Sequence, residues 1–299
     1  METAKRFWRV ATTSPWVRAG VLIVALAVGV VSIGRVPHAS MLPALIGLLP
    51  WVFGKYVLCP LRWHALSVSG NTRFWHMRVY AESELFGLLS PAHTGADLWR
   101  LHNLHRTGMR RSAATAEVGL DRLVGAIGLS FFVVIAGATL PPQVLVAAGG
   151  GALVALVLAL VFRRRRPKFL EERPLPPPGR LARGIALSLG YQLTIMCMLL
   201  GSVAAVGHSV SPLALLGVFG ASQVAGIIPG VHGASPREGA LVFGLHSLGV
   251  PVGAAIGAVA LTAVLAWGPA LLLGGGSMAV RRLLASRSAS ASVPVPAAA

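Results

Sequence analysis

Long apolar runs alternate with short, mostly basic connections along almost the whole chain. Several of these runs approach the roughly 20 residues that an α-helix needs to cross a lipid bilayer. The pattern therefore predicts an all-α polytopic membrane protein with about six spanning helices. The predicted spans are about 17–33, 41–59, 123–140, 144–162, 184–206 and 252–273.

Two shorter stretches, 79–104 and 213–248, interrupt this pattern with charged and helix-breaking residues. The breaks are Pro91 and Gly95 in the first stretch, and Pro229, Gly230 and Gly233 in the second. Each arm beside a break is too short to span a membrane, so we predict two re-entrant hairpins that enter from opposite faces. This is the layout of an inverted-repeat transporter and suggests an inverted repeat, although the two halves share no residue-level repeat.

Basic residues predict the topology and the domain limits. We expect one membrane domain over 1–285, followed by a disordered tail at 286–299. The domain has two halves, about 1–162 and 184–285, which a basic cytoplasmic loop at 163–183 joins. Lys and Arg are concentrated on the cytoplasmic side of membrane proteins, so the basic chain ends and the basic loop predict cytoplasmic termini. The expected location is the inner (cytoplasmic) membrane of the cell.

The composition supports a membrane protein and argues against a nucleic-acid partner. Hydrophobic residues make up 55% of the chain, charged residues 12%, and the mean hydropathy is +0.73. The net charge of +17 comes from arginines in the connections, not from a basic platform with interleaved aromatic residues. Neither a metal nor another cofactor is expected. His102 and His105 have no carboxylate or cysteine that completes a zinc arrangement, and Cys59 and Cys197 are expected to be small buried hydrophobes.

The charged stretch 82–122 is the leading candidate for a functional site. It holds most of the nine acidic residues of the chain, namely Glu82, Glu84, Asp97, Glu117 and Asp121. A charged segment among membrane-length apolar runs is tolerated where protein covers it or where it lines a polar cavity. Within this stretch, we expect Glu82 and Glu84 to lie at the interface near Arg78. Outside it, we expect Lys55 to snorkel toward the inner surface.

Within this stretch, two acid–arginine pairs carry the site prediction. Asp97 and Arg100 are three residues apart and can meet on one helix face. They form either a polar track, in which Arg100 contacts a lipid phosphate, or an internal ion pair that neutralises both charges. Asp121 and Arg122 are adjacent, so they point apart on a helix and need different partners.

In the second half, Arg237 and Glu238 follow the break near the outer side and are the best candidates for contact with a substrate. A serine nucleophile at Ser235 with His232 or His246 is disfavoured, because the pattern of a nucleophile turn is missing.

Several motifs in order along the chain resemble those of a known family. They are Arg62-Trp63, the stretch Leu89–Arg100 (LSPAHTGADLWR), the pair Asp121-Arg122 and the segment Pro229–Glu238. Together they resemble the lysylphosphatidylglycerol synthase transmembrane regions, also called flippase-like domains. The chain departs from the family pattern with Ala96-Asp97 in place of Gly-Glu, Asp121 in place of glutamate, and Val231 in place of glycine.

The resemblance implies a protein that moves or accommodates an amphiphilic lipid between leaflets. The expected partners are membrane lipids: an anionic phospholipid, an aminoacyl-lipid or a prenyl-phosphate lipid. The implied path for the headgroup contains Asp97, Arg100, Asp121, Arg122, Arg237 and Glu238. In this path, Arg100 and Arg237 contact phosphate, and the acidic residues balance them or contact a cationic headgroup.

Two other functions remain open. The protein could anchor a lipid-modifying or glycosyl transferase at the membrane through the 163–183 loop. It could also be a polytopic lipid-dependent transferase, although the first outer loop, 34–40, has no acidic residue for such chemistry. Bifunctional family members carry a cytosolic aminoacyl transferase domain. We expect none here, because the sequence stops at Ala299.

Overall fold

The computed structural model describes residues 40–88, 90, 93–136, 175–226 and 235–291. Within these ranges the regular structure is helical and contains no strand, which confirms the predicted all-α class. The helices are α1 (Met41–Phe53, continued by the π-helical segment Gly54–Leu58 and by Cys59–Leu66), α2 (Arg73–Leu88), α3 (Thr94–Arg106), α4 (Arg111–Ala136), α5 (Pro178–Ala205), α6 (Pro212–Ala225), α7 (Pro236–Ser247) and α8 (Val252–Pro269, continued by the π-helical segment Ala270–Gly275 and by Gly276–Ala291).

Among the described helices, the two that contain a π-helical segment, α1 and α8, carry a proline close to it. Pro60 follows the segment in α1, and Pro269 precedes the segment in α8. Proline lacks the N–H group and crowds the carbonyl four residues earlier, so a helix that contains it must adjust locally. Segments of this kind are frequent at functional sites, and the one in α1 contains Lys55.

Three helices among the described residues are long and apolar enough to cross a membrane, namely α1, α5 and the part of α8 from Val252 to Leu284. α1 and α5 are antiparallel, because the backbone N–H of Ser40 donates to the carbonyl oxygen of Ala205 at 3.0 Å. α8 runs parallel to α1, since Leu261 near its start packs with Ala44 near the start of α1. The end of α1, the start of α5 and the end of α8 therefore lie at one end of the bundle, which we call the basic end.

The two predicted hairpins are present as the helix pairs α2–α3 and α6–α7. The first is based at the basic end, because Asn71 before α2 donates to Thr107 after α3, with Nδ2 and Oγ1 3.5 Å apart. The second is based at the opposite end, because Leu215 of α6 and Leu245 of α7 pack with Val206 at the end of α5. The hairpins therefore enter the bundle from opposite ends, as the layout of the sequence predicts.

Several predicted limits need correction. α1 continues beyond residue 59 to Leu66, and α4 begins at Arg111 instead of near 123. α8 continues to Ala291, past residue 286, where the sequence predicts that the tail begins. The predicted spans 17–33 and 144–162, and the part of the basic loop up to residue 174, lie outside the described residues.

Hydrophobic packing fixes both hairpins in place. The largest core joins α4 through α8 and includes the fully buried residues Leu215, Phe219, Leu245 and Ala255. A second core, around the fully buried Trp63, joins α1 to the first hairpin and to α4. The polar groups between these cores form the candidate site.

Candidate functional site

A cavity of about 660 Å³, which we call the central cavity, lies between the tips of the two hairpins. The first hairpin contributes Ser90 and His93, and the second contributes Gly226 and Ser235. The remaining walls come from α1, α4, α5, α7 and α8, so both halves of the chain form one space. Its charged and polar lining includes Lys55, Arg62, Glu84, His93, Arg122, Gln192, Arg237, Glu238 and Thr262.

Lys55 and Glu84 form a nearly buried ion pair in the wall of this cavity. The Nζ atom of Lys55 lies 2.9 Å from Oε2 of Glu84, and Nε2 of His93 lies 3.5 Å from the same oxygen. The ammonium group also lies 5.7 Å from the ring centre of Tyr80 and 5.8 Å from that of Tyr191, a favourable cation–π geometry. The expected snorkelling of Lys55 is therefore wrong, as is the interfacial position of Glu84, because each neutralises the other inside the protein.

Asp121 is fully buried and joins two arginines from different elements. Its two carboxylate oxygens accept from Nε and Nη2 of Arg62 at 2.8 and 3.1 Å. Arg100 Nη1 donates to Oδ2 of the same carboxylate at 2.8 Å. Arg62 also donates to the hydroxyl of Ser188 in α5 at 3.2 Å. This carboxylate therefore ties α1, α3 and α4 together through charge-assisted bonds.

Asp97 is shared in the same way between Arg100 and Arg122. Nη2 of Arg100 lies 2.5 Å from Oδ1 of Asp97, which confirms that these two residues meet on one helix face. Arg122 donates from Nε to both oxygens of Asp97, at 3.1 and 3.0 Å. Asp121 and Arg122 thus have different partners, as their adjacency predicts. Of these residues, only Arg122 lines the central cavity.

Glu82 connects the first hairpin to the end of α8. It is fully buried and accepts from the hydroxyl of Ser277 at 3.0 Å and from the indole of Trp99 at 3.3 Å. Nη1 of Arg281 lies 3.4 Å from the same carboxylate, and Arg78 is more distant at 4.0 Å. The interfacial position expected for Glu82 is therefore wrong, because the side chains of two other helices, α3 and α8, cover it.

The second hairpin presents Arg237 and Glu238 to the cavity from the first turn of α7. Glu238 accepts from the backbone N–H and the hydroxyl of Ser235, which completes a capping box. The guanidinium of Arg237 donates to the amide oxygen of Gln223, at 3.2 Å from Nε and 3.1 Å from Nη2, when that amide is turned to satisfy both groups. Among the described residues, no carboxylate pairs with Arg237.

These contacts leave positive charge at the cavity wall. In the cluster of Arg62, Arg100 and Arg122, three guanidinium groups share the two carboxylates of Asp97 and Asp121. Arg237, from the second hairpin, adds a cation whose partner among the described residues is a neutral amide, and the carboxylate of Glu238 also lines the cavity. The arrangement is suited to an anion that contacts both Arg122 and Arg237.

Of the predicted hairpin breaks, the structure describes Gly95 only. Its N–H donates to the hydroxyl of Ser90 at 2.7 Å, and a side chain there would run into the backbone carbonyl of Phe86. Pro91, Pro229, Gly230 and Gly233 lie outside the described residues.

A family model, described as the lysylphosphatidylglycerol synthase transmembrane region, matches residues 8–274. The chain belongs to this family. Comparisons with curated proteins and with solved structures found no match. Three residues from the motifs that this lysylphosphatidylglycerol synthase transmembrane region shares with its family form one ion-pair network. They are Arg62, Arg100 and Asp121.

Lys55 and Arg62 line the central cavity but were not predicted as site residues. A lysine inside an apolar span is itself a signal for a site, because a charge is retained there only with a partner or a polar cavity. Arg62 lies beyond the predicted end of its span, and the carboxylate that neutralises it is distant in sequence. No group of metal-binding side chains was found in the part of the chain that the structure describes.

Proposed function

We propose that this protein moves the phosphate-bearing headgroup of an amphiphilic lipid through the central cavity while the hydrocarbon chains stay in the bilayer. The observation that carries the proposal is the presence of Arg122 and Arg237, from opposite halves of the chain, on the wall of one cavity. Guanidinium groups bind phosphate oxygens through paired, charge-assisted hydrogen bonds. Arg122 shares its carboxylate with Arg100, and the partner of Arg237 among the described residues is a neutral amide, so both can accept an anionic ligand.

The size of the cavity supports passage of a headgroup and not of a whole lipid. A volume of about 660 Å³ lies within the range of pockets that hold small polar molecules. Two hydrocarbon chains need more space and gain nothing from leaving the bilayer. A lipid would therefore place its phosphate between Arg122 and Arg237, with its chains outside.

The roles of the other predicted residues follow from their positions. Arg100 and Asp121 are buried behind the cavity wall, so they position Arg122 through Asp97 and do not contact phosphate themselves. Glu238 holds the turn of α7 from which Arg237 reaches the cavity. The sequence predicted that Arg100 contacts the phosphate. We propose that Arg122 makes this contact instead.

The proposed location is the inner membrane, with both termini in the cytoplasm. In support, arginines lie at the basic end of the bundle, at the start of α2 (Arg73), in the first turns of α5 (Arg180 and Arg183) and near the end of α8 (Arg281). Basic residues at one end of a bundle favour a cytoplasmic position for that end.

A transbilayer assay in proteoliposomes tests the proposal. Fluorescent phosphatidylglycerol, lysyl-phosphatidylglycerol and a prenyl phosphate are reconstituted separately, and the initial rate of movement between leaflets is measured by quenching the outer leaflet. The Arg237→Gln variant is compared with wild type and with Arg282→Gln, a matched loss of charge at an exposed site outside the cavity.

We expect movement of at least one lipid class, slowed about tenfold in Arg237→Gln, since a hydrogen bond to a charged group contributes about 1.5–3 kcal/mol. Arg282→Gln should move lipid at the wild-type rate. Equal transbilayer rates in all three proteins would exclude Arg237 as a phosphate contact. A wild-type protein that moves none of the three lipids would overturn the proposed function.

A further inference from the structure

A second cavity, of about 470 Å³, lies at the basic end of the bundle, between the end of α1, the loop that follows it and the start of α5. We call it the basic pocket. Its polar lining comes from His64, Ser67, Asn71, Arg73, Arg180 and Arg183. It shares no residue with the central cavity.

Within the described residues, the arginines of the basic pocket have no carboxylate partner. Arg73, Arg180 and Arg183 are exposed at its rim, and among the described residues no carboxylate pairs with any of them. Three guanidinium groups around one concave surface repel each other unless an anion lies between them. The pocket therefore has the charge of a phosphate site.

The start of α5 adds to this positive potential. The N-terminus of a helix carries a partial positive charge, and acidic residues ordinarily occupy its first turn. The first turn of α5 has no acidic residue and no side-chain cap, and Arg180 lies there instead. An anion bound in the pocket would supply the negative charge that the helix end and its arginines lack.

The pocket is built by a loop that is already held in place. Glu117 of α4 is buried and accepts from the hydroxyl of Ser67 at 2.6 Å and from the backbone N–H of Val68 at 3.2 Å. The hydroxyl of Ser67 also lies 2.7 Å from that of Ser69. Gly70 has a φ of +70°, which permits the loop to turn toward α2. These contacts within the protein hold the loop in place, so an anion would meet an ordered surface.

The location indicates what kind of molecule carries the anion. The pocket lies where the membrane-length helix α1 ends beside the first turns of α5, since Leu66 lies close to Gly184. Exposed apolar side chains lie in the adjacent connections and at the start of α2, at Val68, Phe74 and Leu175. Basic pockets between membrane helices on the cytoplasmic side, beside apolar groups that reach the hydrocarbon, are typical sites for phospholipid headgroups.

We propose that the basic pocket binds the phosphate of a membrane phospholipid, with Arg73, Arg180 and Arg183 as its contacts. This site is separate from the transport path and does not depend on the proposed function. Its chemistry, a phosphate held by three guanidinium groups, is shared by soluble phosphate compounds. The experiment therefore compares the two sources directly.

Native mass spectrometry of the purified full-length protein in detergent measures the retained ligand. Wild type and the double variant Arg180→Gln/Arg183→Gln are titrated with phosphatidylglycerol, and in parallel with glycerol 3-phosphate. The control is Arg106→Gln/Arg111→Gln, which removes the same charge from exposed arginines at the same end of the bundle but outside the pocket. Arg237→Gln is included to distinguish lipid bound in the central cavity from lipid bound in the basic pocket.

We expect wild type, the control and Arg237→Gln each to bind phosphatidylglycerol at the basic pocket, and the double variant to bind it about tenfold more weakly, as expected for the loss of charged hydrogen bonds. Binding of glycerol 3-phosphate at equal concentration, lost in the same variant, would identify a soluble ligand instead. Unchanged retention of both ligands in the double variant would overturn the site. If that variant does not fold, Arg73→Gln, on another helix, should weaken binding by itself, and unchanged binding there would also overturn the site.

Discussion

The ammonium group of Lys55 lies 2.9 Å from a carboxylate oxygen of Glu84, and this contact joins a spanning helix to the first hairpin. Both side chains are almost fully removed from solvent. A buried charge that loses its partner is far more costly than a pair replaced as a whole by apolar groups. The pair therefore fixes where the first hairpin lies along α1.

Removing one member of this pair should destabilise the fold. We expect Glu84→Gln to lower the free energy of unfolding by about 3 kcal/mol, because Lys55 is left buried without its carboxylate. The double variant Lys55→Met/Glu84→Met should recover most of this loss. Thermal unfolding of the purified proteins in detergent measures both effects. If Glu84→Gln unfolds at the wild-type temperature, the pair does not hold the hairpin.

At position 121 the fold should tolerate a longer acidic side chain but not the loss of the negative charge. Asp121→Asn leaves Arg62 and Arg100 without the carboxylate that both contact, and we expect a loss of about 3 kcal/mol or more in the free energy of unfolding. Asp121→Glu keeps the charge and should fold close to wild type. Yield of monodisperse protein and unfolding temperature provide the comparison. Equal behaviour of the two variants would show that the charge is not what matters.

The contact between α1 and α5 should not tolerate an extra methyl group. A Cβ atom at Gly47 would lie 2.5 Å from the carbonyl oxygen of Cys197, so Gly47→Ala should force the helices apart and cost about 2 kcal/mol. Gly253→Ala is the matched control, because no atom lies within 4 Å of the added methyl there. It should be neutral or slightly stabilising. Thermal unfolding distinguishes the two, and equal stabilities would contradict the close packing.

A carboxylate beside Arg237 should suppress lipid movement without harming the fold. Gln223→Glu would place a negative charge against the guanidinium, which would then be less available to phosphate. We expect a fall in the transbilayer rate similar to that of Arg237→Gln, about tenfold. Gln223→Met removes the amide without adding charge and should retain movement. Faster or unchanged movement in Gln223→Glu would exclude Arg237 as a phosphate contact.

Local signals were sufficient to predict the hairpins and one ion pair. Helix-breaking residues between short apolar arms indicated where α2 and α6 end, and Gly95 is required by its close approach to Phe86. Asp97 and Arg100 could be paired from their spacing alone, because residues three apart lie on one face of a helix. These features depend only on neighbours in the chain.

The rest of the site depends on contacts between distant segments. The predicted span at 41–59 leaves Arg62 outside the membrane, because an arginine ordinarily marks the end of a span. Asp121, 59 residues later, neutralises it and allows α1 to continue to Leu66. In the same way, Lys55 meets Glu84 through the packing of two helices. The sequence indicates which groups carry charge, but not which of them meet.

The two cations of α1 also bear on how the chain enters the membrane during synthesis. Placing a lysine or an arginine at the centre of a lone helix costs about 2.5–3.5 kcal/mol each in insertion experiments. Lys55 and Arg62 are made before their carboxylates, since Glu84 lies on α2 and Asp121 on α4. α1 is long and apolar enough to span a membrane, but it therefore inserts less favourably by itself than it does once α2 and α4 supply the two carboxylates. We expect stable insertion of α1 to depend on translation of the rest of the first half.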